Sequence, residues 1–294
     1  MRVLVVGKQG QVATELAAQL PRAGHEFITL ARPEFDLERP QSVGRVVADY
    51  KPDAIINAAA YTAVDRAEDE PVVANAINGI ALGVLGQAAA GIPVIHYSTD
   101  YVFDGTKDSP YSETDPTNPI GAYGASKLLG EQKLLEANPR SVVLRTSWVC
   151  SPHGNNFVKT MLRLGRDRPE VSVVRDQQGA PTFADDLARA AITLLPRLVA
   201  APEADPGFGI FHYSGEPDTN WHDFAFMIFA GAAQRGQRPP ALRAINSDQY
   251  PTKAKRPANS RLDCSKIERI HGLARPDWEA ALARTLEQLL PAGA

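Results

Sequence analysis

Tyr123 and Lys127 stand four residues apart in Tyr123-Gly124-Ala125-Ser126-Lys127. That spacing puts a phenol and an ammonium on one face of a helix that runs on through Leu134. A phenol with an ordinary pKa of about 10 is a poor acid–base catalyst at neutral pH. A neighbouring ammonium stabilises the phenolate and brings it toward the working range. Tyr-x-x-x-Lys is common by chance, and alone it reads more readily as an exposed helix pair. Upstream, His96-Tyr97-Ser98-Thr99-Asp100 follows a run of branched apolar residues. Ser98 and Thr99 then fall at the carboxyl end of a strand, where a hydroxyl can hold a carbonyl oxygen against Tyr123. A phenol, a cation and a hydroxyl clamp suit proton transfer to a carbonyl oxygen.

A second group of residues suits a dinucleotide. Gly7-Lys8-Gln9-Gly10-Gln11-Val12-Ala13 joins the first β-rich run to the first helical one. Glycines in such a turn let the backbone approach a pyrophosphate, which then sits on the helix N-terminus. The spacing is G-x-x-G-x-x-A rather than G-x-G-x-x-G, and Ala13 is still small enough for close helix–strand packing. A glycine pair in such a turn can also be purely structural. The second strand ends Leu30-Ala31-Arg32; an arginine there can meet a 2′-phosphate where an acid would bind a ribose 2′-hydroxyl. This favours NADPH, with NADH left possible, against the plain alternative of a surface arginine. Asp36-Leu37 falls where a loop can reach an adenine. Asn57-Ala58-Ala59-Ala60 puts small residues where a nicotinamide ribose would have to pass.

These residues need a frame, and the sequence supplies one. Val3–Val6, Phe27–Leu30, Ala54–Ile56, Val94–Tyr97 and Val142–Leu144 are short and continuously apolar, and helical stretches alternate with them: Gln11–Leu20, Ser42–Tyr50 and Val72–Ala90. Strands apolar on both faces and separated by helices predict an α/β fold, a Rossmann-type doubly wound parallel sheet with ligands at the strands' carboxyl ends. Residues 1–150 are expected to form the dinucleotide-binding domain. Residues 151–294 are expected to be mainly a smaller substrate-binding domain, with parts of 170–200 (Val171–Val174 among them) returning to the first. Gly209–Tyr213 is a further candidate strand, and Ala184–Leu195 and Trp221–Ala233 are candidate helices.

Composition excludes other classes. A net charge of −3 without a polybasic run argues against nucleic acid or an anionic membrane surface as partner. No uninterrupted apolar stretch reaches spanning length, and the N-terminal apolar run is too short for a signal-peptide core. Two cysteines, Cys150 and Cys264, form neither a disulfide framework nor a metal-ligand pattern. The expectation is a cytoplasmic protein with free thiols and no metal site of local spacing.

The glycine turn, Asn-Ala-Ala, Ser-Thr and Tyr-x-x-x-Lys occur in the order and spacing of the extended short-chain dehydrogenases/reductases. More specific segments follow: Asn57 to Asp65, Ser98 to Gly105, Arg145-Thr146-Ser147-Trp148-Val149, Gly154-Asn155-Asn156-Phe157, Asp176 to Thr182 and Arg256 to Leu262. From residue 1 to about Leu290 the chain resembles the dTDP-4-dehydrorhamnose reductase family. The resemblance implies reduction of the C4 ketone of dTDP-4-dehydro-β-L-rhamnose, with hydride from the nicotinamide and a proton from Tyr123. It gives Lys127 the ribose hydroxyls and the lowering of the Tyr123 pKa, Thr99 the ketone, and Asp100 the sugar. Thr62, Val64 and Trp148 match sugar-pocket positions. Gly10, Gln11, Val12, Asp36, Leu37, Ala60, Tyr61 and Thr62 match cofactor contacts. Asn156, Arg256 and Arg261 are candidates for the nucleotide half of a dTDP-sugar. Some members are dimers with magnesium held by glutamates between subunits; Glu15 matches one such position, but the others read Asp185 and Gln288. The pattern is incomplete, so magnesium, monomer and homodimer all stay open.

Two other readings share the motifs. A sugar-nucleotide dehydratase or epimerase has the same fold, but dehydration needs an acid–base pair, and Asp100 is followed by Tyr101. A regulatory subunit resembling the β subunit of methionine adenosyltransferase would keep Asp-Tyr-Val-Phe-Asp-Gly without sugar reduction; the intact set Thr99, Tyr123, Lys127 and Trp148 argues against it. Other residues read as structural: His96 as packed within its strand, Trp221-His222-Asp223 as a helix start with Trp221 in a pocket wall or core, Trp278 as packing for the last helix. Cys150 has no base beside it and does not read as a nucleophile.

Overall fold

The computed structural model describes residues 1–33, 36–37 and 41–291. Its centre is a six-stranded sheet: β1 (Arg2–Val6), β2 (Glu26–Leu30), β3 (Ala54–Asn57), β4 (Val94–Thr99), β5 (Ser141–Thr146) and a last strand, Gly209–His212. The spatial order is β2-β1-β3-β4-β5 and then Gly209–His212, with every pair parallel. The chain leaves β1 toward one side for β2 and returns to the other side for β3. That reversal opens a crevice at the carboxyl ends of β1 and β3, where a doubly wound sheet receives its ligand.

Alternate residues of the central strands face two cores. Val3, Val5, Ile56 and Ile95 pack with Leu16 and Leu20 and with Leu187, Ala191 and Leu194 of the helix Ala184–Ala200. On the opposite face Leu4, Val6, Ile55 and Val94 pack with Val43, Val47, Leu82, Leu85 and Leu134. Burial on both faces is why these strands read as unbroken apolar runs. A third cluster (Met161, Phe183, Phe224, Ile228, Trp278, Leu286) lies in the C-terminal half.

Two local features differ from the sequence expectation. Val171–Val174 belongs to a strand, Glu170–Val174, that pairs with Ala241–Ile245 in a separate two-stranded parallel sheet instead of returning to the main one. The helix expected over Val72–Ala90 is Pro71–Asn75, a π-helical turn at Ala76–Ile80, and Ala81–Ala88. The same Pro71–Ala88 stretch has a mean hydropathy of 1.3 over 18 residues, its apolar run interrupted by Asn75, Asn78 and Gln87. Here it packs on the helix Ala122–Ala137 so closely that a Cβ on Gly130 would lie 1.9 Å from the Asn78 carbonyl oxygen.

Candidate active site

β1 hands directly to the glycine turn. Gly7 has φ +114°, and a Cβ there would sit 3.2–3.3 Å from the Ala58–Ala59 backbone that ends β3. Only glycine fits both the conformation and the approach. Gly10 starts the helix Gln11–Gln19 without a side chain to cap the first N–H groups. The first turn thus offers backbone donors and the positive end of the helix dipole, which suits a pyrophosphate. Arg32, exposed, and Asp36 follow β2 on the same edge, while Leu37 is packed into the core beside Val6.

The loop Ala60–Thr62 is tied to the Tyr123 helix by a residue the sequence reading passed over. Asn78, on the π turn, accepts from the Tyr61 N–H (2.8 Å) and donates to the Tyr61 carbonyl (3.0 Å) and to Ser126 Oγ (3.0 Å). Ser126 Oγ in turn donates to the Tyr123 carbonyl at 2.8 Å. Glu68, also unremarked in sequence, accepts from the Ala122 N–H at 2.8 Å and so caps that helix. A buried asparagine inside an alanine-rich helix was the available signal for Asn78.

Thr99 closes β4, and its hydroxyl donates to Asp100 Oδ1 (3.0 Å) while accepting from the Tyr101 N–H (3.2 Å). The Tyr123 phenol feels both Thr99 and Asp100, and its ring meets Tyr101 edge-on at 5.7 Å. Burial, then the Asp100 carboxylate, push the Tyr123 phenol above its ordinary value; Thr99 opposes them. Burial also lifts Asp100 to about 6 against hydrogen bonds from Ser260 and Thr99. Tyr123 is therefore a protonated donor at neutral pH.

Lys127 shares the helix face but is turned toward the sheet. Its Nζ donates to the Tyr97 carbonyl (2.7 Å) and lies 3.0 Å from His96 Nε2. Burial pulls it down to about 7, with Glu131 acting the other way. In this arrangement Lys127 Nζ is engaged by Tyr97 and His96, and the influences on the Tyr123 pKa are burial, Asp100, Thr99 and Tyr101. His96 is packed within β4 as expected and is also a hydrogen-bonding partner of Lys127. Beneath them Glu131 forms a buried pair with Arg145 (Oε2–Nη2 2.6 Å) and accepts from Ser98 Oγ at 2.5 Å.

A cavity of about 870 Å³ opens beside Tyr101, lined among others by Phe157, Arg168, Trp221, Tyr250 and Arg256. Arg256 donates to Tyr101 Oη (3.2 Å) and to Asp65 Oδ2 (2.9 Å), so this predicted residue reaches the Tyr123 neighbourhood. Trp148 has φ +49°, a region bulky residues rarely occupy, and stacks on Trp221 at 3.7 Å. Thr62 and Val64 begin the stretch that leads to Asp65, Thr62 exposed and Val64 half-buried. Two further candidates make contacts within the protein. Asn156 caps the helix Phe157–Asp167 through the Lys159 N–H (3.1 Å) and donates to Gln11 Oε1 (2.8 Å) and Ser151 O (2.7 Å). Arg261 donates to Asn259 Oδ1 (2.8 Å) and Asp108 O (2.6 Å), stapling a loop.

Cys150 is buried, its thiol pushed up to about 12 by burial, as an inert cysteine would be. Trp278 is in the third core, its Nε1 donating to the Pro217 carbonyl at 2.7 Å. Glu15 faces His153 (3.3 Å) and Asp185 faces Arg284 (3.0 Å). Among the described residues no group of three or more His, Cys, Asp or Glu gathers as a metal cluster. Within one chain these carboxylates do not fit a magnesium site.

Comparison with known proteins agrees with this geometry. The family described as RmlD substrate binding domain matches residues 1–290. A dTDP-4-dehydrorhamnose reductase of Sinorhizobium fredii is 48% identical over 100% of this chain and 99% of its own. The structure of a dTDP-4-dehydrorhamnose reductase from Clostridium acetobutylicum superposes with a TM-score of 0.91 at 34% identity, covering 98% of this chain and 99% of that one. That of a dTDP-4-dehydrorhamnose reductase from Bacillus anthracis, in complex with NADP, gives 0.90 at 33% over the same shares. On full-length identity, fold and motif order together, the chain belongs to the RmlD family, whose members include the dTDP-4-dehydrorhamnose reductases.

Proposed function

We propose that this chain reduces the C4 ketone of dTDP-4-dehydro-β-L-rhamnose to give dTDP-L-rhamnose, using NADPH, in the cytoplasm. The observation that carries the reading is the placement of the buried Tyr123 phenol with Thr99 and Asp100 at the carboxyl end of β4, beside the cavity that Tyr101 and Arg256 share. Bound NADPH supplies the hydride.

Ketone reduction needs an acid that is protonated before reaction and tolerated as an anion after it. Tyr123 meets the first condition, because burial and Asp100 keep its proton on. Its Oη gives that proton to the developing alkoxide, and Thr99 Oγ1 holds the same oxygen in place. Lys127, on the same helix face, balances the tyrosinate as an ammonium and takes the ribose hydroxyls. Trp148, stacked on Trp221, walls the sugar side and excludes water. Arg256 and Arg168 bring positive charge to the cavity for a nucleotide's phosphates. Gly7, Gly10, Gln11 and Val12 hold the pyrophosphate, and Ala60, Tyr61 and Thr62 border the nicotinamide ribose. At the position after Asp100, where a dehydratase would carry its second acid–base group, Tyr101 lies edge-on to Tyr123.

The test is to follow NADPH oxidation with the ketosugar and to establish product mass and C4 configuration by NMR. Stoichiometric oxidation with a C4 alcohol is expected. Product formed with the nicotinamide regenerated would replace this reading with dehydratase or epimerase chemistry.

A further inference from the structure

β3 and β4 are neighbours in register, so Asn57 faces His96 directly, and both side chains are buried. Asn57 Oδ1 accepts from the Ala59 N–H at 3.1 Å. That bond fixes which end of the amide is which, and Nδ2 is the end that stands 3.0 Å from His96 Nδ1. An amide nitrogen only donates, so His96 Nδ1 must accept. A neutral imidazole then carries its proton on Nε2. Nε2 is the atom 3.0 Å from Lys127 Nζ. Two N–H groups cannot point at each other across a hydrogen bond, so Nζ must present a lone pair to His96 while donating to the Tyr97 carbonyl. Only an uncharged amine can do both.

Each alternative leaves a collision in a buried place. A charged Lys127 needs a bare Nε2, which moves the histidine proton to Nδ1 and against Asn57 Nδ2. Turning the Asn57 amide relieves that contact and sets its NH2 against the Ala59 N–H. An imidazolium meets Asn57 the same way. A buried donor left facing another donor is disfavoured, and that decides among these states. The charges nearby do not reverse the result. Glu131, one turn along the same helix, is the carboxylate facing Lys127, and Arg145 from β5 and Ser98 from β4 already occupy it. Burial disfavours the charged form of both Lys127 and His96.

We propose that His96 is a positioning residue that holds Lys127 as an uncharged amine, and that engagement of the nicotinamide dinucleotide by Lys127 draws one proton from solvent onto Nζ. The added proton forms an N–H bond and nothing else changes hands. The ammonium so formed can no longer accept from His96, which frees Nζ from that partner while its bond to the Tyr97 carbonyl can persist. The charge that holds ribose hydroxyls and offsets the tyrosinate is thereby made when the dinucleotide is engaged.

The second half rests on the nicotinamide reading of the site; the first half does not. Nitrogen-15 NMR of the free enzyme at pH 8 should show His96 protonated on Nε2 with a bare Nδ1, and Lys127 Nζ as an amine. A Lys127 ammonium, or the Nδ1–H tautomer, overturns the proposal without touching the assignment of the cofactor. Calorimetric titration with NADPH at pH 8, in buffers of different ionisation enthalpy, should give uptake of about one proton per site. His96→Gln offers an amide oxygen to an ammonium, so uptake in that variant should fall toward zero. No uptake in the wild type, or equal uptake in the variant, refutes the role of His96. Absence of any NADPH binding would instead sink the cofactor reading and leave the NMR result to decide the rest.

Discussion

Removing the Tyr123 hydroxyl takes away the proton donor and little else, because its ring keeps the edge contact with Tyr101. Tyr123→Phe should lose about 10²–10⁴-fold in kcat, with NADPH affinity near the wild-type value by fluorescence titration; near-normal turnover would remove Tyr123 as the acid. Arg32→Ala should lower the ratio of kcat/KM for NADPH over NADH, and an unchanged ratio would make Arg32 a surface charge only. Tyr123, Lys127 and Thr99 were legible because a helix repeat and a strand end are local features. The partners of Lys127 were not. His96 lies 31 residues away from it and Asn57 39 from His96, and they meet through strand register, which no local spacing encodes. Asn156 and Arg261 also have structural partners that motif position does not reveal, in the protein's own backbone and side chains.

At the level of elements, the docking of the Pro71–Ala88 stretch on the Tyr123 helix fixes where the phenol points. Gly130→Ala would force a methyl into the Asn78 carbonyl, at a cost of about 1–3 kcal/mol. The thermal midpoint should fall by several degrees, and kcat should fall with it because Asn78 also holds Tyr61 and Ser126. An unchanged midpoint would mean that the two helices slide apart freely. The alternation of apolar runs and helical stretches made the sheet and its covering helices readable. The π turn was hidden, since it arises where one helix accommodates another. The pairing of Glu170–Val174 with Ala241–Ile245 was hidden too, because a short strand's partner is chosen by what packs beneath it.

For the molecule as a whole, acid stability follows from where carboxylates are held. Asp115 is kept at about 2, first by Lys107 and then by the Ser112 N–H; Asp104 is held well below its ordinary value by hydrogen bonds from Thr106, Asn118 and Tyr111. A depressed folded pKa gives stability that is full above the unfolded value of 3.8 and is lost as pH falls through the folded one. Asp100 has the opposite sign: held at about 6, it favours the fold most below 3.8 and gives that up as pH rises through 6. Thermal melts should therefore show a steep loss of stability below about pH 4. Asp115→Asn should flatten that limb, and an identical acid limb in the variant would show that this ion pair carries none of it.

The contact between Gln11 and Asn156 joins the two halves of the molecule. Gln11 opens the helix on which a pyrophosphate would rest, and Asn156 opens the helix whose Phe157 and Met161 line the cavity. A pair of carboxamides would thus stand as a shared strut between the two proposed ligand sites. Any tightening that one ligand imposes on this strut is returned in equal measure by the other, since coupling between binding free energies is reciprocal. The affinities of dinucleotide and sugar nucleotide would then be properties of the pair.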